Sequence, residues 1–419
     1  MPKRAEQTLT PRLRFPEFIG QTLREVQLKD VTAESTTRNG DKLPITSVMG
    51  VRKAEGIVPM EERIIASDIA RYKIVQKEWF AYNPMRLNIG SIAQWKGEND
   101  ILVSPDYIVF KCLTDADSGI DPSYLNHFRQ SAAWENVVTE GGDGSVRVRI
   151  YYKDLARLYL ALPPFIEQQK LADCLTSLDE VIAAQGRKVA ALKAHKRGLM
   201  QQLFPREGET RPRLRFPEFR DAPEWGQAPL RELFETSSGG TPDRGNKEYW
   251  SGSIPWVTTS LVDFNVITAA DEFISEAGLQ NSSAKIFPKG TVIVAMYGQG
   301  KTRGQVALLQ VEAATNQACA AILPNNDIDP QFVFLSLCGR YQELRALSNS
   351  GGQENLSQGL IRELPFRYPT DQAEQSKIVA CLSSLDTQLT AESNQLAALK
   401  THKQGLMQQL FPAPEAAGA

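Results

Sequence analysis

AALKAHKRGLMQQLFP at 190–205 and AALKTHKQGLMQQLFP at 397–412 are one sequence written twice. They differ only at Ala194/Thr401 and Arg197/Gln404, at a constant offset of 207 residues. Upstream, CLTSLDEVI (174–182) matches CLSSLDTQL (381–389) in the same register. A second echo is PRLRFPEF, at 11–18 and again at 212–219, offset by 201. Self-similarity at a fixed offset marks a duplicated structural unit. The chain is therefore two copies of one plan: PRLRFPEF, about 145 variable residues, and a closing helix.

The closing segments carry a 3.5-residue apolar period. Leu171, Leu175, Leu178, Ile182, Gln185, Val189, Leu192, Lys196, Leu199 and Leu203 alternate in steps of four and three. Ile378, Leu382, Leu385, Leu389, Glu392, Leu396, Leu399, Lys403, Leu406 and Leu410 repeat the pattern. Such a period makes a narrow seam for one partner helix. The spacing predicts helices over 166–203 and 373–410, each roughly 57 Å long at 1.5 Å per residue. Prolines precede both helices and Pro205 and Pro412 close them. Two matching seams in one chain predict an antiparallel pair, in which Lys196 approaches Glu392 and Lys403 approaches Gln185. An ordinary amphipathic helix on each domain's core is the plainer alternative.

Between the helices the chain changes character. LPITSVMGV (43–51), EWFAYNP (78–84), ILVSPDYIVFK (101–111), SIPWVTTSLV (253–262), TVIVAMYG (291–298) and ACAAILP (318–324) are short β-branched or aromatic runs broken by Gly, Pro, Asn and Asp. They read as strands and loops. Gly90 and Gly304 each sit a few residues past a strand and a loop. Each variable region ends on a Gly-rich loop, EGGDGSVRVRI (140–150) and NSGGQENLSQGLI (349–361). A near-identical frame with diverged middles is what one scaffold carrying two binding specificities would look like.

Composition narrows the classes. The 419 residues are 42% hydrophobic and 23% charged, which excludes fibrous and disordered chains. No run approaches the roughly 18 apolar residues of a membrane span, and MPKRAEQTLTPRLRFPEF has no apolar region of the kind a secretory leader needs. Five scattered cysteines without a CxxC predict reduced thiols and a cytoplasmic location. Three separated histidines offer no metal site, and the net charge of −2 gives no global signal for nucleic acid.

Catalytic motifs fail one by one. AMYGQGKT (295–302) imitates a phosphate-binding loop, but QVALLQV after it reads as a strand, where that loop needs a helix N-terminus. LPPF (162–165) and SPDY (104–107) lack the residues of an amino-methyltransferase motif. PDYIVFK (105–111) lacks the second acid of a Mg²⁺-dependent nuclease. His195 and His402 belong to the duplicated helices and His127 stands alone, so no Ser/His/Asp set can be argued. Cys174 and Cys381 flank the seam as small packing residues. The chain reads as non-catalytic.

The chain resembles the specificity (S) subunit of Type I restriction–modification systems. GGTPDRGNKEYWSGSIPW (239–256), TVIVAMYGQGKTRGQVALL (291–309) and ATNQACAAILP (314–324) are similar to that family's recognition-domain motifs. So are AYNPMRLNIGSIA (81–93), LVSPDYIVF (102–110) and LPPFIEQQKLADCL (162–175). One departure is PFRYPTDQAEQSKI (365–378), where a PLPPxxEQ pattern would be usual. The resemblance implies an α+β fold of two pseudo-symmetric target-recognition domains, strand- and loop-rich, separated by two long helices paired as an antiparallel coiled coil. The domains would be 1–160 and 206–365, the helical regions 161–205 and 366–412, with a disordered tail at 413–419. It also implies recognition of a bipartite, asymmetric duplex DNA target, and recruitment of two methyltransferase and two restriction subunits. This chain would hold no cofactor or metal; the partners would use S-adenosylmethionine, ATP and Mg²⁺. The alternative of a different class is a coiled-coil scaffold or tether without sequence-specific DNA binding.

Side chains that discriminate bases are Arg, Lys, Asn, Gln, Ser and Thr on exposed loops. In the first domain the candidates are Arg38, Ser47, Arg52, Lys53, Asn83, Arg86, Arg147 and Arg149. In the second they are Thr241, Arg244, Thr258, Ser260, Gln299, Lys301, Arg303, Gln353 and Asn355. Tyr249, Trp250, Trp256 and Trp225 read as core aromatics.

Overall fold

A computed structural model describes residues 11–53, 55–61, 65–87, 89–140, 149–298, 300–347 and 355–411. The tail expected to be disordered at 413–419 lies outside the described residues. Two compact units emerge: Met1–Gly186 with Asn394–Ala419, and Arg187–Ser393. The sequence suggests cutting the chain at the helix ends. Compactness instead divides both long helices near their middles, because each helix begins in one unit and ends in the core of the other.

The first unit contains β1 (Arg24–Gln27), β2 (Thr32–Ser35), β3 (Met49–Arg52), β4 (Gly56–Pro59), β5 (Lys73–Val75), β6 (Phe80–Tyr82), β7 (Ile92–Gln94), β8 (Ile101–Val103), β9 (Ile108–Cys112) and β10 (Tyr159–Leu162). An antiparallel sheet runs β2-β9-β6-β7, beside the pairs β3-β4, β5-β8 and β1-β10. Strands β5 to β8 are buried at every residue, which explains why β6 and β8 stand in the sequence as short apolar runs rather than as alternation, while β5 and β7 bury Lys73 and Gln94 as well. Phe80 stacks on Phe110 with ring centroids 5.1 Å apart.

The second unit contains β11 (Gly226–Pro229), β12 (Thr236–Ser238), β13 (Ile254–Val257), β14 (Asn265–Ile267), β15 (Glu272–Ile274), β16 (Ile286–Phe287), β17 (Val292–Ala295), β18 (Val306–Leu309), β19 (Ala313–Thr315), β20 (Cys319–Ile322) and β21 (Pro365–Tyr368). Its main sheet runs β12-β20-β17-β18-β14, its second sheet β15-β13-β19-β16, and β11 pairs with β21. The order β12-β20-β17-β18 reproduces β2-β9-β6-β7, antiparallel throughout. Diverged sequences thus share one sheet. The second copy adds β14, parallel to β18.

The long helices span Phe165–Leu203 and Gln372–Leu410, 39 residues each, within a residue of the spacing's prediction. Every seam position is buried or half-buried while most flanking ones are exposed. In the first unit Leu171 and Leu175 share a core with Met407, Leu410 and Phe411, and Lys403 donates to Asp179 at 2.6 Å. In the second, Leu203 joins Ile378 and Leu382, while Lys188 pairs with Glu392 and Lys196 with Asp386. The pairing is antiparallel, as the twin seams require. The seam lysines meet Asp386 and Asp179, themselves 207 residues apart, where the sequence pointed to positions 392 and 185. The register follows from the helix ends. Phe411 packs edge-on against Tyr124 and Phe128 in the first unit, and Phe204 packs on Trp225 and Phe332 in the second.

The duplicated PRLRFPEF has a structural task. Arg14 grips Glu167 through two hydrogen bonds of 2.7 and 2.6 Å, and Arg215 grips Glu374 through two of 2.7 Å. Each carboxylate holds its arginine above the ordinary guanidinium value, chiefly by that hydrogen bond. The next residue of each helix, Gln168 or Gln375, accepts from the backbone N–H of Asp121 or Asp329. It donates to the carbonyl of Pro163 or Pro369. PFRYPTDQAEQ therefore does the work of LPPFIEQ despite its altered spelling. Each Asp caps a short helix opening on proline, Pro122–Phe128 or Pro330–Gly339.

Candidate nucleic-acid interface

In both units most of the described candidates lie where the shared sheet ends. In the second unit β12, β17 and β19 finish at this end, and β14, β18 and β20 begin there. Backbone hydrogen bonds tie the connecting loops together: Asn316 N–H to Val257 O, Met296 N–H to Ala318 O, Leu356 N–H to Met296 O and Gly304 N–H to Ala295 O. Thr241 donates to Gln317 at 2.5 Å, and Thr258 and Ser260 share a hydroxyl contact of 2.6 Å just past β13. Thr241, Thr258, Ser260, Lys301, Arg303 and Asn355 thus lie on loops of one rim. Asn316 and Gln317, which the sequence reading did not single out, lie between them. Their signal was the ATNQ run on the short turn between two buried strands. Gln299 and Gln353 lie outside the described residues.

The rim is built by close approach. Glycines in GGTP (239–242) are obligatory: a Cβ on Gly239 would stand 1.9 Å from Thr315 O, and one on Gly240 2.2 Å from Ser283 Oγ. The loop from 298 to 304 turns through Gly298, Gly300 and Gly304, all at positive φ, which glycine tolerates without steric cost. Tyr341 OH braces it by donating to Lys301 O at 2.6 Å, and Arg345 donates to Gly300 O at 2.5 Å. Phe264, itself at φ +51°, packs edge-on against Tyr341 at 5.1 Å. This loop feeds β18 and not a helix, so it offers no helix-terminal phosphate cradle. Arg244 is differently employed: its guanidinium lies 3.7 Å from the Trp250 ring and 4.8 Å from Trp256, and it pairs with Glu272 at 2.5 Å. Of the four aromatics expected in the core, Trp256 and Trp225 are buried, while Tyr249 and Trp250 are only half-buried, because Trp250 lies at the surface under Arg244.

In the first unit the equivalent loop joins β6 to β7. Gly90 follows Ala81 by nine residues and Gly304 follows Ala295 by nine, and both glycines have positive φ, +87° and +85°. Asn83 Oδ1 accepts from Met85 N–H at 2.9 Å, which makes Asn83 a turn-former, while Arg86 is exposed at the tip. Arg52 and Lys53 reach this loop from the β3–β4 hairpin. Ser91 Oγ donates to Val51 O, and Arg52 also pairs with Glu55 at 3.1 Å. Exposed Arg149 is attached through the bond from Ile150 N–H to Pro84 O. Arg38 follows β2, its guanidinium held on Arg71 O at 2.7 Å. Ser47 sits in the turn before β3, at the other end of that strand from Arg52, and is not brought to the loop. Arg147 lies outside the described residues. Behind the rim Lys73 is buried and donates to Tyr107 O at 2.6 Å. Burial pushes its ammonium below the ordinary lysine value.

Among the described residues no cluster of His, Cys, Asp and Glu could hold a metal ion, and no helix is long and apolar enough to cross a membrane. All five cysteines are free thiols; burial pushes Cys319 and Cys338 up to about 12, which makes them poor nucleophiles.

Residues 223–401 match the family model for the Type I restriction modification DNA specificity domain. The chain is 27% identical over 168 residues to the Type I restriction enzyme MjaIX specificity subunit of Methanocaldococcus jannaschii, covering 39% of this chain and 38% of that protein. It is 28% identical over 164 residues to the EcoR124I/EcoR124II specificity subunit of Escherichia coli, covering 38% and 40%. These matches span about two fifths of the relatives' length. The fold is similar to that of a Type I restriction–modification S subunit from M. genitalium, with TM-score 0.58, 15% identity and coverage of 97% and 100%. It is equally similar, at TM-score 0.58 and 16% identity, to a chain of a type I R-M system, covering 93% and 98%.

Proposed function

Since residues 223–401 form a Type I restriction modification DNA specificity domain, we propose that the whole chain is a specificity subunit, reading a bipartite asymmetric DNA target. The observation that carries this reading is the repeated rim. One antiparallel sheet occurs in both units, and at the same end of it each unit presents loops of unlike sequence. A constant frame with variable loops at one end is a device for holding two different readouts. On this reading Arg52, Lys53, Arg86 and Arg149 serve one half-site, and Thr241, Thr258, Ser260, Lys301, Arg303 and Asn355 the other. Lysine and arginine contacts to phosphates supply affinity, while contacts to base edges supply sequence.

The chain itself contributes no chemistry. Two methyltransferase subunits, using S-adenosylmethionine, and two restriction subunits, using ATP and Mg²⁺, would assemble on it. They would also supply further phosphate contacts beyond the local ones of a chain whose net charge is −2. Adenine methylation by those partners requires the base to leave the stack, which this subunit need only permit.

The test is co-expression with the methyltransferase subunit from the same genome in a host lacking adenine methylation, followed by methylome sequencing. A split motif with an unread gap supports the proposal. A scaffold without DNA specificity would leave the methylome unpatterned.

A further inference from the structure

The two equivalent loops have unlike surfaces. The loop of the second unit, YGQGKTRG (297–304), carries Lys301 and Arg303. The loop of the first, NPMRLNIG (83–90), is tied by backbone bonds at its described residues and exposes apolar side chains: Met85 is 54% exposed and Ile89 53%. Neither exposure comes from a slack backbone. Arg86 N–H donates to Asn83 O, Ile89 N–H and Ser91 N–H donate to Arg86 O, Gly90 N–H donates to Leu87 O, and Ile150 N–H donates to Pro84 O. Leu87 is buried beneath as an anchor. Two large apolar groups on a tied-down tip have no use inside this unit.

Their surroundings indicate what covers them. Arg86 stands exposed between them, and exposed Arg149 adjoins them through Ile150. The stem of Lys53 lies along Gly90, whose added Cβ would stand 3.5 Å from Lys53 Cε. An apolar tip with Arg86 on the same turn, Lys53 along Gly90 and Arg149 next to the residue bonded to Pro84 is complementary to a base edge flanked by phosphates. In the major groove the apolar group on display is the C5-methyl of thymine.

We propose that the first unit reads its half-site by apolar contact, Met85 and Ile89 packing on thymine C5-methyl groups while Lys53, Arg86 and Arg149 hold phosphates. The second unit's equivalent loop reads through charge and hydrogen bonds. This inference rests on the specificity-subunit reading and says which chemistry the first rim uses.

The full-length chain, co-purified with its methyltransferase subunits, is first used to select a target from a pool of duplexes with randomised cores. The selected duplex is then made again with deoxyuridine for each thymine of the first half-site. The loss of C5-methyl groups weakens binding about fourfold per contacted methyl, the worth of one buried methyl group. Met85→Ala/Ile89→Ala weakens binding to the thymine duplex and removes the sensitivity to deoxyuridine, with an unchanged salt slope because no phosphate contact is lost. Arg86→Ala lowers that slope by about one. Met85→Gln and Ile89→Gln, which keep roughly the side chains' bulk but end in amides, give the same loss of sensitivity should the alanine pair fold poorly. The proposal is overturned by a first half-site with no thymine, by equal deoxyuridine sensitivity in parent and variant, or by a folded variant that no longer holds its methyltransferase subunits. A parent complex that selects no motif overturns the specificity reading as well.

Discussion

Arg215→Met tests whether PRLRFPEF is the clamp between each long helix and the domain before it. Arg215 meets Glu374 through two 2.7 Å hydrogen bonds, with side chains only 9% and 1% exposed. Methionine fills much of the arginine's volume but leaves the Glu374 carboxylate with the Trp225 indole N–H, at 3.3 Å, as its described side-chain donor. Breaking a buried pair by removing one partner costs about 3–5 kcal/mol, because the remaining charge is uncompensated. At about 2–4 °C per kcal/mol for a unit of this size, the second unit's transition falls by roughly 6–20 °C. Calorimetry is the suitable assay, since two compact units need not unfold in one step. Arg215→Met/Glu374→Leu removes both charges and should recover most of the loss. Arg14→Met should act alike on the first unit, because Arg14 and Glu167 are just as buried. A loss below about 1 kcal/mol, or a double variant no better than the single, would refute the clamp.

Lys301→Ala should weaken binding of the complex to its target and reduce the salt slope by about one, and neither parent nor variant should bind ATP; stoichiometric ATP binding by the chain would contradict the reading of this loop. Tyr341→Phe removes the brace on Lys301 O and should cost about 1 kcal/mol of loop order, since a net hydrogen bond is worth about that; hydrogen exchange should quicken in the loop. His127 is buried, and its imidazole is pushed down to about 4, first by burial and then by nearby Lys403, against the pull of Asp179. Its folded value lies below the ordinary one, so stability is intact above pH 6.5 and is lost as pH falls from there toward 4, by on the order of 3 kcal/mol. Thermal unfolding of His127→Gln between pH 7.5 and 5 should show a weaker pH dependence than the parent. Exchanging residues 20–150 for those of another such chain should yield methylation of a new first half-site with the second unchanged; a folded hybrid keeping the old first half would place specificity elsewhere.

The amino-acid order alone determined the duplication, both long helices and their antiparallel partnership. These depend on features local along the chain: a near-verbatim repeat and a seam whose period is set by helical geometry. It also marked the strands at 80–82, 101–103, 292–295 and 319–322, because these strands, buried on both faces, are almost wholly apolar. The register of the helices needed the tertiary structure. The seam pointed Lys196 to Glu392, but the helices settle with Lys196 on Asp386, where Phe204 and Phe411 lodge in their cores. The common sheet was equally hidden, since strands of three to five residues pair with partners such as Thr32 and Cys112, eighty residues apart, and no local pattern records such a pairing. The same long-range pairing decided which candidates share a rim. Arg52, Lys53, Arg86 and Arg149 are scattered along the chain and meet only because β3, β6 and β7 bring their loops together. Ser47, one strand's length from Arg52, is left out for the same reason.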